Sequence, residues 1–142
     1  PIPPVATAVH GMDADSVAGA PSFAEAHPSI LEALSGSVVV GHHVGFDLAI
    51  LAHEAKRAGL PWAEPPHLDT AALVAGVAHV GAELDLVALL HRFGIANTAG
   101  RHTASGDARM AADLFVELAR RLVARGHGTF AGAIAAQRSP RR

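Results

Sequence analysis

Two short stretches of the 142-residue chain put carboxylates and an imidazole where side chains could act on a ligand. The first, Gly41-His42-His43-Val44-Gly45-Phe46-Asp47, follows the apolar run Val38-Val39-Val40, so Asp47 falls where a strand gives way to a helix. Ligands gather at the carboxyl ends of strands in open α/β sheets, which makes Asp47 a candidate ligand residue. The same position also suits a helix cap, because a carboxylate there offsets the partial positive charge of the helix N-terminus. The second stretch, His102-Thr103-Ala104-Ser105-Gly106-Asp107-Ala108, sets an imidazole just before a long helical pattern and a carboxylate within its first turn. Such a pair can serve one site, with carboxylate oxygens suited to hard cations and imidazole suited to proton transfer. The competing reading is a capping Asp107 and a solvent-facing His102.

The elements that must position these residues alternate between strand and helix, which indicates an α/β layer structure. Val38 to Val40 is apolar and β-branched throughout, as in a strand buried on both faces of a parallel sheet. A helix follows from near Phe46, lined by Leu48, Ile50, Leu51 and Ala55 and stopped by Gly59 and Pro61. Pro66 to Thr70 reads as a short strand leading into a helix through Val77, with Asp69 as its cap. Leu84 to Phe93 reads as a short core helix with Asp85 on its polar face. From about Ser105 to Arg125, Met110, Leu114, Leu118 and Leu122 recur at helical spacing, with Gly126 just beyond.

Upstream, Ser22 and Glu25 have capping-box spacing and predict a helix over 23–34, while Asp13 is placed to cap a short helix over 15–18. Val5 to Val9 reads as a short strand or extended segment after the proline-rich start. From His127 onward glycine and alanine dominate and the chain ends in Arg138-Ser139-Pro140-Arg141-Arg142. Residues 127–142 are therefore expected to form a flexible tail after a domain over 1–126.

Composition removes several function classes. At 50% hydrophobic content the chain can build the core of one domain. Its net charge of -2 neither supports nor excludes a nucleic-acid partner, since a local channel can still bind one. The absence of cysteine removes disulfides, zinc-thiolate sites and thiol nucleophiles, and fits a reducing compartment. No apolar stretch is long enough to span a bilayer, so the sequence reads as soluble and cytoplasmic, with no membrane partner. The histidines show no His-Glu-x-x-His arrangement, the glycines make no phosphate-binding loop, and Ser22 and Ser105 lack a nucleophile-elbow context. Zinc hydrolysis and acyl-enzyme chemistry have the least support.

In order as well as in type, these motifs resemble the DnaQ-like, DEDDh family of 3′-to-5′ exonucleases. Gly41-His42-His43-Val44-Gly45-Phe46-Asp47 is similar to the family's Gly-His-Asn-x-x-Phe-Asp, and His102 to Ala108 to its His-x4-Asp-Ala. Between them, Leu68-Asp69-Thr70 resembles a family strand-to-helix turn and Leu84 to Leu89 the helix before the last motif. Val9-His10-Gly11-Met12 resembles the family's His-Gly-Ile turn beside the 3′-terminal nucleotide. The resemblance implies a ribonuclease H-like three-layer fold in which Asp47 and Asp107 hold metal and His102 is the general base. It also implies two Mg²⁺ or Mn²⁺ ions as cofactors, and substrate contacts from His10, Gly11, Met12, His43 and Phe46. The implied partners are single-stranded or 3′-terminal DNA or RNA and a larger polymerase or repair assembly.

Two departures stand out. His43 occupies the place of the family's Asn, which bears on a hydrogen bond but removes no metal ligand. No Asp-x-Glu, the family's first motif, precedes His10. By this comparison the chain begins in the loop after the family's third strand, the fold is incomplete with the first strands of the central sheet absent, and the 142 residues alone are expected to be inactive. The competing reading is a non-catalytic nucleic-acid-binding or accessory module that keeps the scaffold without the site.

Overall fold

Helix and strand alternate only around the middle of the chain in the computed structural model, which describes residues 2–78, 85–96 and 103–138. The first element is a helix, α1 (Pro4–His10), and not the extended segment that its β-branched residues suggest. Pro4 supplies a helical φ at a position that needs no N–H, and Gly11 takes the left-handed conformation that closes the end, with φ 73°. These two signals outweigh the propensity of Val5 and Val9. The short helix expected over 15–18 is instead a run of turns, fixed by Asp13 and Ser16, each of which accepts the other's backbone N–H at 2.8 Å.

Helix α2 (Phe23–Leu34) begins with the capping box expected of Ser22 and Glu25. It docks through buried His27, whose Nε2 lies 2.9 Å from the Pro61 carbonyl and so carries the proton, and it packs along α3 (Val44–Ala58). Strand β1 (Val39–Gly41) precedes α3 and pairs in parallel with β2 (His67–Asp69), in the register Val39 to His67, Val40 to Leu68 and Gly41 to Asp69. Helices α4 (Thr70–Ala78), α5 (Leu86–Arg92), α6 (Ala104–Ala124) and α7 (Phe130–Gln137) follow.

The core lies among the last four helices and β2. Leu73, Val74, Leu89, Leu90, Leu114 and Leu118 are at most 1% exposed, and α6 supplies its periodic face to α4, α5, α7 and β1 alike. Within the segment 127–142 expected as a flexible tail, α7 packs on α4 and β2, with Ala133 and Ala136 buried. Small side chains make that contact close. A Cβ at Gly76 would sit 2.1 Å from the Ala136 carbonyl oxygen, so the two backbones touch where Gly76 stands. Residues 139–142 lie outside the described residues.

The result is mostly helical around a two-stranded parallel sheet, the only sheet among the described residues. Strand β1 is half-buried along its length, where full burial on both faces was expected, and Val38 beside it is 42% exposed. A strand reaches the interior of a sheet only when both edges are paired, and among the described residues β1 has one.

Candidate active site

Asp47 and Asp107, well separated in the chain, line one cleft of about 530 Å³ at the carboxyl end of β1. Asp47 arrives there by a tight turn. Gly41 ends β1, and the absence of a side chain lets Val44 close over it, since a Cβ at Gly41 would lie 2.9 Å from that of Val44. His43 then takes a left-handed conformation, φ 58° and ψ 35°, unique among the non-glycine residues described. An L-residue held there costs on the order of 1 kcal/mol, so something must hold it. The contact is long-range: the His43 N–H donates to Asp69 Oδ1 at 3.0 Å. Helix α3 starts at once, with Val44 and Leu48 buried and Asp47 exposed in its first turn.

Asp107 is held by local capping. The Thr103 hydroxyl accepts the Gly106 N–H at 3.1 Å, and the Asp107 N–H donates to the Thr103 carbonyl at 2.9 Å. The half-buried carboxylate therefore stands at the positive end of the α6 dipole. Ala104, Ala108, Met110 and Ala111 of α6 line the cleft around it.

Two further residues, Asp85 and His42, border the cleft. Asp85, expected on the polar face of its helix, is the N-cap of α5, accepting the Ala88 N–H at 2.8 Å. An aspartate just before an apolar run is the signal that would have found it. His42 is half-buried with its Nδ1 2.9 Å from the hydroxyl of fully buried Thr70. That pairing crosses from the residue just after β1 to the start of α4 and has no local signature.

The remaining expectations divide. His102 lies outside the described residues. His10, Gly11, Met12, His43 and Phe46 are not among the residues lining the cleft. The His10 Nδ1 accepts the Met12 N–H at 3.0 Å, which folds that turn on itself. Phe46, next to Asp47, is 71% exposed.

Carboxylate oxygens are the donors that Mg²⁺ and Mn²⁺ take, so the chemistry of Asp47 and Asp107 fits such an ion. Among the described residues no group of three or more His, Asp or Glu could hold one. No described helix is long and apolar enough to cross a membrane.

The chain is 40% identical, over 92% of its length, to a DNA polymerase III subunit epsilon-like protein of Rhodobacter capsulatus, of which it covers 18%. It is 32% identical over 86% of its length to a PolC-type DNA polymerase III of Caldanaerobacter subterraneus subsp. tengcongensis, covering 9% of that protein. It is 30% identical over 78% of its length to the DNA polymerase III subunit epsilon of Rickettsia felis, covering 50%. The chain thus spans half or less of each of these relatives. No solved structure matches it. The family model for exonucleases of the RNase_T type matches residues 1–115, which hold β1, β2 and both cleft aspartates, and the chain belongs to that exonuclease family.

Proposed function

We propose that this chain is part of a metal-dependent 3′-to-5′ exonuclease of the DEDDh type, acting on the 3′ ends of DNA or RNA. The observation that carries this reading is the convergence of Asp47 from α3 and Asp107 from α6 on one cleft. In the intact site these two would hold Mg²⁺ or Mn²⁺, and His102 would take the proton of the attacking water. A pair of bound divalent ions in such a site lowers the pKa of that water and neutralises the leaving 3′ oxygen. Phe46, beside Asp47 and exposed, would offer an apolar face to a terminal base, and the turn at His10, Gly11 and Met12 would meet the terminal nucleotide once the rest of the protein is in place. The relatives' names make a DNA polymerase III-like assembly the partner to test first.

The other carboxylates would come from an Asp-x-Glu strand outside these 142 residues, seated on the free edge of β1. Two features support that placement. Strand β1 has a partner on one edge alone among the described residues, and Val40 borders both the cleft of the aspartates and a second apolar one of about 330 Å³. A neighbouring strand would cover both.

The test is 3′ trimming of 5′-labelled single-stranded DNA and RNA with Mg²⁺ or Mn²⁺. The full-length protein should release mononucleotides stepwise and lose that activity in Asp107→Ala, while the 142-residue chain alone should release almost none. Robust trimming by the short chain, abolished by Asp107→Ala, would overturn the need for further carboxylates. Binding without release by the full-length protein would identify an accessory module instead.

A further inference from the structure

We infer that Asp69 is a positioning residue for Asp47, with Gln137 of α7 as its anchor; the inference rests on the metal-site reading above. The sequence presents Asp69 as the cap of α4, and it does accept the Ala71 N–H, at 2.9 Å. The same Oδ1 also accepts the His43 N–H at 3.0 Å, across the junction where Gly41 and Asp69 end the two strands in register. One carboxylate oxygen therefore ties the start of α4 to the start of α3. Its backbone is fixed from a third side, because the Asp69 N–H donates to Gln137 Oε1 at 3.0 Å.

The consequence falls on Asp47. His43 is the left-handed residue from which α3 departs, and its side chain makes no capping bond, so the Asp69 oxygen supplies the side-chain acceptor for that turn's N–H. Asp47 sits in the first helical turn beyond it. Loss of the oxygen frees His43 to leave its left-handed conformation, and a change of backbone there redirects the first turn of α3 and the carboxylate on it. Asp69 is not among the residues lining the cleft, so its influence on a bound ion would act through His43 and not by ligation. Helix α7 enters the same chain of contacts: its seat on Gly76 sets where Gln137 meets β2.

The experiment uses the full-length protein and Mn²⁺ alone, with affinity read by electron paramagnetic resonance and His43 amide exchange read by NMR. Asp69→Ala should weaken Mn²⁺ binding by about tenfold, the lower end of what the loss of a group supporting a ligand produces, and should speed His43 exchange. Asp69→Asn keeps an acceptor oxygen in place and should restore both. A role confined to capping α4 would lower the melting temperature of Asp69→Ala and leave Mn²⁺ affinity at the parent value, which would overturn the inference. Equal weakening by Asp69→Asn and Asp69→Ala would also overturn it, because the acceptor would then not matter. Should Asp69→Ala fail to fold, Gln137→Leu carries the test: several-fold weaker Mn²⁺ supports the anchor, and unchanged Mn²⁺ overturns it. Asp47→Ala separates the two levels, since Mn²⁺ affinity unaffected by that change would defeat the metal-site reading itself, whatever the His43 amide does.

Discussion

Asp107 and Asp47 reach the same cleft by different physical routes, and the difference sets how each should respond to mutation. Asp107 depends on a neighbour in sequence, the Thr103 hydroxyl that caps α6. Thr103→Ala should cost about 1 kcal/mol of stability, measurable by urea denaturation, because a first-turn N–H loses its acceptor. Asp47 depends on residues distant in sequence, so no local change of comparable size substitutes for Asp69. Capping also sets a pH response at Glu25. The Ser22 hydroxyl, and then the Ser22 backbone N–H, hold its carboxyl below the usual carboxylate range. A depressed folded-state pKa means that the box contributes fully above the ordinary glutamate range and loses that contribution as pH falls through the lowered value. The Ser22 amide should therefore exchange faster as the solution is acidified through that window, once the intrinsic pH dependence is divided out. Glu25→Gln should show no such step.

At the scale of elements, what the sequence discloses tracks how local the cause is. The capping box of α2, the apolar stripe of α6 and the glycine stop of α3 at Gly59 are set by residues within a few positions of each other, and each is where the pattern puts it. Helix α1 was legible too, through Pro4 and Gly11, but valine propensity points the other way and a helix with no buried residue has no apolar face to read. Asp47 and Asp107 were legible as motifs, whereas the tether from His43 to Asp69 and the pairing of His42 with Thr70 join residues whose proximity exists only once β1 and β2 are in register. Helix α7 was hidden for the same reason. Glycine and alanine look like tail composition until Gly76 supplies a surface that only small residues can approach. Gly76→Ala tests that contact. Alanine favours a helix by about 1 kcal/mol over glycine, but the new Cβ meets a backbone oxygen that cannot rotate away. We expect a net loss of roughly 1–3 kcal/mol from overpacking, seen in thermal or urea unfolding.

At the scale of the molecule, the demand falls on the edge of β1 that has no strand partner among the described residues. Val39 donates its N–H to the Pro66 carbonyl at 2.9 Å, so Val39 is bonded toward β2. In a parallel ladder the residues that bond to a given neighbour alternate along the strand, which turns the N–H and C=O of Val40 to the other edge. A backbone pair without a strand partner among the described residues, at a residue that borders both the aspartate cleft and the apolar one, is the arrangement that either recruits a further strand or invites unwanted pairing. The prediction concerns this one amide. In the 142-residue chain the Val40 N–H should exchange quickly while that of Val39 is protected, and in the full-length protein both should be protected. Slow Val40 exchange in the short chain at low protein concentration would mean that the edge is already satisfied within these residues, and a strand from elsewhere would have no place to sit. Slow exchange appearing only at high concentration would show self-pairing through the same edge. Protection gained only in the full-length protein, together with Mn²⁺ binding gained there, would link completion of the sheet to completion of the site, because the strand that covers Val40 would also bring its carboxylates to Asp47 and Asp107.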